Sequence, residues 1–343
     1  MLDKTALSVG IGVSVGAAAA AAAWWVWRQY SSPLIPSNWE EVGEVSELTI
    51  YPLKSGRGVS VNQADATIYG LAHGPLEDRS FMVMTADDCR CVSGRQMGRL
   101  TMVWLTLEDD MVTLGAENDS VKFNLKEVLK EHKIAHTRIW DQDVKGVDCG
   151  GDVAEFLTRV VSQGKTKLRL LYRGDVGKNR SARRYKYYNF PKIRNTDTMY
   201  YAEGCSYVVG TETSLQDLNS RLSEPVSMSR FRGNIVVKGS TPSDEDDWAY
   251  VKIGQVVLRK VKPCQRCLLT TVDPDKGEKH SQMEPLNTLR TFRLLKEPAT
   301  LAKLWSASPV FGISMAIDVT GPVAVGDKVL VARTSKNPAL TVF

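Results

Sequence analysis

Two cysteines and an arginine stand close together in the second half of the chain, at Cys264, Arg266 and Cys267. A Cys-x-x-Cys pair can form a redox disulfide, contribute to a zinc site, or supply one thiolate to a metal while the other thiol packs. A redox pair places its first cysteine at a helix N-terminus, which lowers the thiol pKa. Cys267 is instead followed by Leu268–Val272, whose β-branched residues predict a strand. This pattern disfavours a redox pair.

A structural zinc site is disfavoured by the positions of the other thiols. Zinc in such a site takes four ligands in a tetrahedron. The only other closely spaced cysteines, Cys89 and Cys91, are two positions apart, and this spacing makes a poor tetrahedral pair. The remaining interpretation is a single thiolate beside Arg266 that faces a soft metal, because thiolates are soft donors.

Several ordered motifs carry a resemblance to a known family. They are Tyr51–Ser55, Asp78-Arg79, Asp217–Leu222, Phe231–Val236, Cys264–Gly277, Glu284–Leu289 and Val325–Val329. In this order they resemble the MOSC domain of the mitochondrial amidoxime-reducing components, which are molybdenum-cofactor reductases. The resemblance runs from about Val45 to Val331. Agreement of several motifs at once is more specific than one Cys-x-x-Cys pair.

The resemblance implies roles for individual residues in binding a molybdenum cofactor (Mo-molybdopterin). The second cysteine of the pair, Cys267, would be catalytic as the ligand of the molybdenum, whereas Cys264 is expected to be a packed thiol. The pterin part carries a phosphate and a dithiolene, so its pocket needs fixed cations and backbone donors. The residues that match cofactor-binding positions of the family are Lys54, Ser55, Arg79, Arg232, Asn234, Gln265 and Arg266.

One loop departs from the family pattern. Where the family commonly carries an acidic residue followed by two hydroxyl residues, this chain has Glu203, Gly204 and Cys205. Backbone contacts of Gly204 and Cys205 to the cofactor survive this change, and a glycine eases close approach of the backbone. Hydroxyl contacts do not survive it. We expect Cys205 to be an inert buried thiol.

Two further pairs of residues have spacings that suit either structure or chemistry. Asp273 and Asp275 flank Pro274, which is typical of a turn. The competing hypothesis makes Asp273 a catalytic residue that assists proton delivery when an N–O bond is reduced. His132 and His136 are four positions apart on a predicted helix, but two ligands do not make a metal site, so we interpret both as ordinary helix residues.

Composition limits the classes of protein to which this chain can belong. The 343 residues are 43% hydrophobic, which is enough for one large domain or two joined domains with a full core. The formal net charge of +5 suits an anionic cofactor or an acidic partner without indicating nucleic acid. The six cysteines are irregularly spaced, unlike a secreted disulfide framework, and they indicate a reducing compartment.

The first segment of the chain predicts a single transmembrane helix. Ala6–Trp27 contains 22 residues without a charge, and such a helix spans ~33 Å against a bilayer core of ~30 Å. A cleaved signal peptide is the alternative, because the alanine run Ala17–Ala23 offers cleavage sites. The positive residues that follow, Arg28, Lys54 and Arg57, favour a catalytic body on the cytosolic side. The resemblance implies the mitochondrial outer membrane.

Alternation of apolar and polar residues predicts most of the secondary structure. The predicted strands are Val45–Leu53, Arg79–Thr85, Thr101–Leu107, Met111–Leu114, Asn234–Lys238, Trp248–Val261, Cys267–Val272, Gly312–Val319 and Val325–Ala332. Apolar stripes predict helices at Leu125–Leu129, Val153–Val161 and Leu215–Leu222, the last after a capping box at Thr213–Gln216. Many short strands with few helices indicate a β-rich α+β fold closed into a barrel.

The resemblance implies how the chain is divided. Residues 1–41 would form the membrane anchor and linker, 42–180 an N-terminal β-barrel-like domain, 181–335 a MOSC domain with a β-barrel core, and 336–343 a C-terminal tail. The basic and aromatic stretch Arg173–Arg194 connects the two domains. Such a stretch can stack on nucleic acid, but without a binding fold around it a solvated connector is more typical, so we expect no nucleic-acid partner.

The resemblance implies a membrane-anchored reductase of small N-hydroxylated compounds, such as amidoximes, hydroxylamines and N-hydroxylated bases. The resemblance implies that electrons come from NADH through NADH-cytochrome b5 reductase and cytochrome b5. The chain has no G-x-G-x-x-G after a strand and no haem-attachment motif, so NADH and haem are expected on these partners. One alternative is a sulfur or cofactor carrier with Cys267 as persulfide acceptor, and another is a membrane-tethered adaptor without activity.

Overall fold

The computed structural model describes residues 35–177, 180–182, 190, 192–297 and 299–335. The predicted membrane helix Ala6–Trp27, residues 183–189 of the predicted connector and the predicted tail lie outside the described residues. Within the described ranges, no helix has the length and apolar character needed to cross a membrane. Asn38–Phe343 forms one compact unit.

Strands dominate the described part of the chain. They are β1 Glu40–Ile50, β2 Val59–Val61, β3 Gln63–Thr67, β4 Gly70–His73, β5 Leu76–Glu77, β6 Phe81–Thr85, β7 Trp104–Glu108, β8 Met111–Ala116, β9 Asp119–Asn124, β10 Ile134–Ile139, β11 Gln142–Asp148, β12 Leu168–Tyr172, β13 Arg180–Ser181, β14 Thr198–Met199, β15 Tyr207–Thr211, β16 Ile235–Lys238, β17 Trp248–Ile253, β18 Val256–Gln265, β19 Val310–Val319, β20 Gly321–Ala324 and β21 Lys328–Arg333. The α-helices are α1 Leu125–Glu131, α2 Gly151–Val160, α3 Glu212–Asn219, α4 Leu286–Phe292 and α5 Ala299–Trp305, and 3₁₀ helices occupy Gly98–Met102, Met228–Phe231, Asp244–Asp247 and Leu268–Thr271.

Seven strands close into a barrel. β1, β16, β15, β19, β18, β17 and β21 are hydrogen-bonded in this order, and β21 pairs back onto β1. Only the β15–β16 pair is parallel among these neighbours. The inward residues, among them Val45, Ile50, Val209 and Ile313, are fully buried in the main hydrophobic core. The predicted β-rich α+β fold with a closed barrel is confirmed.

Strand β1 closes the barrel because it bends sharply. Its pairing shifts register between Glu41 and Gly43 and again between Val45 and Glu47, which are β-bulges that increase twist and curvature. Gly43 has φ +147°, and a Cβ at this position would lie 1.9 Å from the carbonyl oxygen of Lys238. Glycine is therefore required for the close approach of β1 and β16.

The two halves of the chain exchange strands. β1, which precedes the first-half sheets, completes the barrel, and β20 from the second half pairs with β3 in the sheet β20-β3-β4-β5. The other first-half sheets are β7-β8-β9 and β10-β11-β12-β6. Helix α2 covers this region through buried Val153, Phe156 and Leu157. The predicted domain boundary at residues 180 and 181 stays a prediction.

The strand predicted at Cys267–Val272 is wrong. Leu268–Thr271 forms a 3₁₀ helix, because the hydroxyls of Thr270 and Thr271 donate hydrogen bonds to the carbonyls of Cys267 (2.9 Å) and Leu268 (2.8 Å). Such local bonds compete with strand pairing. No strand follows Cys267, so the residues after it do not disfavour a redox pair. Cys264 and Cys267 are both free thiols in this structure.

Three smaller predictions are also corrected. Trp248–Val261 is a hairpin of β17 and β18 that turns at Gly254 (φ +55°), and is not one strand. The N-cap of α3 is Thr211, whose hydroxyl accepts the Ser214 N–H (3.2 Å), so the capping box was placed two residues late. Helix α1 ends before His132, which caps it in the left-handed conformation, so the two histidines do not share a helix face.

Candidate functional site

One cavity of about 260 Å³ collects the predicted cofactor-binding residues. It lies among the segment after β1, the turn before β6, the loops before β15 and β16, and the C-terminal end of β18. All ten of these predicted residues line it: Lys54, Ser55, Arg79, Gly204, Cys205, Arg232, Asn234, Gln265, Arg266 and Cys267. The structure thus brings together residues separated by more than 200 positions, although it does not by itself assign their roles.

Two arginines of this cavity share one aromatic ring. The guanidinium carbons of Arg79 and Arg232 lie 4.8 and 4.1 Å from the ring centroid of Tyr51. Both arginines have left-handed backbones, with φ of +49° and +53°. Non-glycine residues adopt this conformation at a cost, which the surrounding contacts must offset. The two cations are therefore held in place before any ligand binds.

A buried polar network fixes Arg79. The carboxylate of Asp78, fully buried, pairs with the Arg79 guanidinium and accepts the Tyr51 N–H (2.9 Å) and the Asn234 amide (3.0 Å). The Asn234 carbonyl oxygen accepts a second bond from Arg79 (3.1 Å) and one from the Val208 N–H (3.2 Å). The side-chain amide of Asn234 is thus engaged within the protein and positions Arg79.

Arg232 is less completely satisfied than Arg79. Its Nη1 donates to the carbonyl oxygen of Gly56 (2.5 Å), whereas its Nη2 is buried and has no hydrogen-bond partner among the described residues. Arg230, which also lines the cavity, has a similarly unpaired buried Nη1 within the same described part of the chain. Burial and the nearby Arg79 lower the pKa of Arg232 to about 10. An anion beside Arg230 and Arg232 would accept hydrogen bonds from these nitrogens and would reduce the repulsion between the Arg79 and Arg232 guanidinium groups.

The charge balance of the cavity is strongly positive. Seven basic side chains and one carboxylate line it; the basic residues are Lys54, Arg79, Arg95, Arg230, Arg232, Lys262 and Arg266. The carboxylate, Glu203, accepts a bond from Lys54 (2.7 Å) and lies 3.8 Å from Arg95. Burial raises the pKa of Glu203, but Lys54 and Arg95 outweigh it and hold this pKa at about 2. Glu203 is therefore a carboxylate at neutral pH.

We expect Glu203→Gln to lower stability at pH 7 and to lower it by clearly less at pH 3. An unpaired glutamate titrates near ~4.3, so the ion pairs of Glu203 stabilise the fold above this pH, and the contribution is lost as the pH falls towards about 2. Melting temperatures at pH 7 and pH 3 measure the difference. Glu131→Gln, at an exposed ion pair with Lys133, is the control and should change little. An equal loss for Glu203→Gln at both pH values would contradict this assignment.

The two thiols of the Cys-x-x-Cys pair both reach the cavity, in different surroundings. Cys264 is buried on β18, while Cys267 is half-buried and caps the 3₁₀ helix Leu268–Thr271. Burial raises the pKa of the Cys264 thiol, but Arg266 and Lys262 outweigh it and leave this pKa below its usual value. Cations that favour thiolates are therefore present at the pair.

The loop that departs from the family pattern is open to a ligand at its glycine. Gly204 has φ +88°, and a Cβ added there would meet no atom within 4 Å. The backbone of this loop therefore borders open space in the cavity. Cys205, expected to be buried, is instead half-buried at the cavity, and desolvation raises the pKa of its thiol to about 12, so the thiol is protonated at neutral pH.

Arg266 is engaged by backbone carbonyls. Its Nε and Nη2 donate to the carbonyl oxygen of Phe311 (2.8 and 2.5 Å), and its Nη1 donates to that of Phe231 (2.7 Å). The rings of Phe231 and Phe311 stack at 3.9 Å between centroids. Arg266 thus joins β18 to the segment that carries Arg230 and Arg232, and its charge remains next to the thiols.

Asp273 lies outside the cavity. Its carboxylate accepts the backbone N–H groups of Asp275 (2.9 Å) and Lys276 (3.3 Å), as in an Asx turn, and a bond from Arg230 (3.2 Å). Burial raises its pKa, but these donors outweigh it and leave the pKa lowered. The turn interpretation describes this geometry, and the catalytic role of Asp273 stays a prediction that the structure does not support.

Several lining residues outside the predicted set carry a charge or an aromatic ring, among them Arg95, Trp140, Arg230 and Lys262. Arg230 could have been found, because it precedes Arg232 by two positions and belongs to the same motif region. Lys262 lies two positions before Cys264 on β18, so the alternation of a strand also indicates it. No sequence pattern indicates Arg95 or Trp140, because tertiary contacts bring these two residues to the cavity.

Comparison with known proteins identifies the family of this chain. Two family models match the chain, the MOSC domain over residues 197–330 and the MOSC N-terminal beta barrel domain over residues 42–164. Mitochondrial amidoxime reducing component 2 of Bos taurus is 36% identical over 290 residues, which cover 84% of this chain and 83% of that protein. Mitochondrial amidoxime-reducing component 1 of Danio rerio is 38% identical and component 2 of Homo sapiens is 35% identical, each with 84% of both chains covered. The chain therefore belongs to the family of the mitochondrial amidoxime-reducing components, and it is an enzyme of the reductase class.

Proposed function

We propose that this chain reduces N-hydroxylated compounds at a molybdenum cofactor held in the cavity. The observation that carries the proposal is that arginines with donors unpaired within the described part of the chain converge with two thiols in one positively charged cavity. An anionic cofactor that also needs a soft protein ligand uses both features. The names of the relatives support amidoximes as one substrate class.

The residues present fit the pterin cofactor. Arg230 and Arg232 both line the cavity, and each has a buried guanidinium nitrogen without a hydrogen-bond partner among the described residues, which a phosphate could satisfy. Gly204 offers backbone next to open space, and Cys267 offers a half-buried thiol as metal ligand. The cofactor, when bound, supplies a metal that changes its oxidation state by two electrons in total. The protein supplies the binding, orientation and electrostatics.

The reaction we propose takes up two electrons and two protons. The N–O bond breaks, one proton joins the hydroxyl oxygen, which leaves as water, and the second proton with the two electrons gives the nitrogen an N–H bond in place of the N–O bond. Glu203 and Asp273 both have lowered pKa values and are ionised at neutral pH, so neither stores a proton for this step. They instead fix Lys54, Arg95 and Arg230 beside the cavity.

We further propose that electrons arrive from NADH through cytochrome b5 reductase and cytochrome b5. The absence of a dinucleotide-binding motif in the sequence supports separate partners for NADH. The net charge of +5 suits an acidic electron donor, which would meet this chain in a small and salt-sensitive encounter. Ala6–Trp27 is proposed to anchor the protein in the mitochondrial outer membrane with its body in the cytosol. The word mitochondrial in the names of the relatives supports this localisation.

Reconstitution of the full chain with both partners tests this proposal. Benzamidoxime should be reduced to benzamidine with one NADH oxidised per product. Omission of cytochrome b5 should remove most of the rate, and added salt should lower it, because exposed charges are screened. Full turnover with NADH and no cytochrome b5 would refute the proposed electron route. A molybdenum-loaded protein that reduces no N-hydroxylated compound, even with an artificial electron donor, would refute the proposed reaction.

A further inference from the structure

Trp140 occupies an unusual backbone position at the edge of the cavity. It lies at the tip of the β10–β11 hairpin, where Ile139 pairs with Gln142 and leaves Trp140 and Asp141 as a two-residue turn. Trp140 has φ +57°, a conformation that glycine or asparagine adopts readily in such turns and that strains a bulky side chain. Turn formation therefore does not explain a tryptophan here, and an outlier of this kind points to a functional constraint.

The indole of Trp140 is held in a defined orientation. The Arg95 guanidinium lies 4.7 Å from the indole centroid, and the indole hydrogen-bonds to the Glu203 carboxylate. Arg95 itself stands on a turn in which the Gln96 side chain accepts the Ser93 N–H (2.9 Å) and hydroxyl (2.8 Å). The ring is thus fixed by a cation and by a carboxylate that both line the cavity.

A second contact ties the hairpin to the same part of the structure. The hydroxyl of Thr137 on β10 donates a hydrogen bond to the carbonyl oxygen of Cys89 (2.6 Å). The backbones of Arg138 and Arg90 form an isolated parallel β-bridge. The hairpin is therefore bonded to the segment that leads to Arg95. Trp140 nevertheless remains 49% exposed, so a large part of an oriented aromatic ring is available at the cavity.

We propose that Trp140 is a specificity-determining residue on which the flat part of a substrate stacks. This inference rests on the proposed function, since it concerns the N-hydroxylated compounds reduced in the same cavity. An aryl amidoxime presents a conjugated ring next to its N–O group, whereas an alkyl amidoxime of the same chemistry presents none. Stacking on the indole favours the aryl compound, because aromatic pairs gain more than their buried area provides. Trp140 therefore selects among substrates and does not act on the N–O bond.

Steady-state kinetics with two matched substrates test the proposal. We expect Trp140→Gly to raise KM for benzamidoxime ~10-fold relative to KM for acetamidoxime, with kcat for both nearly unchanged. Trp140→Phe keeps an aromatic ring and should stay within ~3-fold of the wild-type ratio. The melting temperature of Trp140→Gly should change little, because the relief of strain at φ +57° offsets the lost contacts to Arg95 and Glu203. Trp39→Leu, at a tryptophan that contacts Lys252 away from the cavity, is the matched control.

Binding of the reaction products separates this proposal from the proposed function. Calorimetry with benzamidine and acetamidine needs no turnover, and Trp140→Gly should weaken only the benzamidine complex. A wild-type protein that reduces neither amidoxime would refute the proposed function, while this binding comparison would still decide the role of Trp140. Equal effects of Trp140→Gly on both ligands, or no effect on either, would overturn the proposal. An equal loss with less bound molybdenum would also overturn it, since Trp140 would then support the cofactor site.

Discussion

Cys267→Ala removes nearly all reduction of N-hydroxylated compounds, and Cys264→Ala leaves most of it. Cys267 is a half-buried thiol of the cavity and stands where the resemblance predicts the metal ligand, whereas Cys264 is a buried thiol on β18. Loss of a direct metal ligand should lower kcat by more than ~100-fold, beyond the 10–100-fold typical of residues that only support ligands. Reduction of benzamidoxime with an artificial electron donor measures the effect without the protein partners.

The two cysteines lie in different surroundings, so the two variants should differ in activity. Arg266 and Lys262 lower the pKa of Cys264, so electrostatics alone would favour Cys264 as the thiolate. A large loss for Cys264→Ala with little loss for Cys267→Ala would therefore reverse the assignment. Similar large losses in both variants would show that the thiols act as a pair. Melting temperatures of both variants should stay close to wild type, which excludes unfolding as the cause.

Arg232→Ala should lower cofactor occupancy more than it lowers activity per bound molybdenum. Arg232 is stacked on Tyr51 and presents an unpaired Nη2 within the described part of the cavity, so its removal deletes a charge-assisted contact without breaking an ion pair. Such a contact contributes ~1.5–3 kcal/mol, or ~10–150-fold in affinity. Arg232→Lys keeps the charge but loses the planar fork, and should give an intermediate occupancy.

Arg79→Ala should also lower occupancy, but it is a less selective change. It leaves the buried Asp78 carboxylate without its cation, and breaking a buried pair in this way costs ~3–5 kcal/mol of stability.

Arg221→Ala is the matched control for Arg232→Ala, because Arg221 pairs with Asp217 and contacts Phe292 away from the cavity. Molybdenum and pterin per chain measure occupancy. Full occupancy in both Arg232→Ala and Arg79→Ala would refute a cofactor role for these arginines.

The strand pattern in the sequence was sufficient to predict a β-rich barrel. Alternation identified the strands around Val45, Gly312 and Val325, which lie within or beside β1, β19 and β21. It failed at Leu268–Thr271, where β-branched residues form a 3₁₀ helix because the threonine hydroxyls bond to the preceding carbonyls. The exchange of β1 and β20 between the halves depends on long-range pairing, which no local pattern reports.

The site was predictable through its motifs rather than through its charges. Lys54, Arg79 and Arg232 stand in separate motifs, and only the resemblance grouped them before the structure did. The geometry then changed what individual residues do: Asn234 positions Arg79, and Arg266 bonds to backbone carbonyls. These assignments depend on tertiary hydrogen bonds.

X-ray absorption at molybdenum tests the central claim most directly. We expect about one molybdenum per chain in the purified wild-type protein. We also expect that Cys267→Ala, prepared with its pterin retained, loses one sulfur neighbour of the metal while Cys264→Ala loses none. This outcome would establish both the cofactor and the ligand. Wild-type protein without molybdenum would instead indicate a carrier or an adaptor, and unchanged sulfur coordination in Cys267→Ala would contradict the assignment of Cys267.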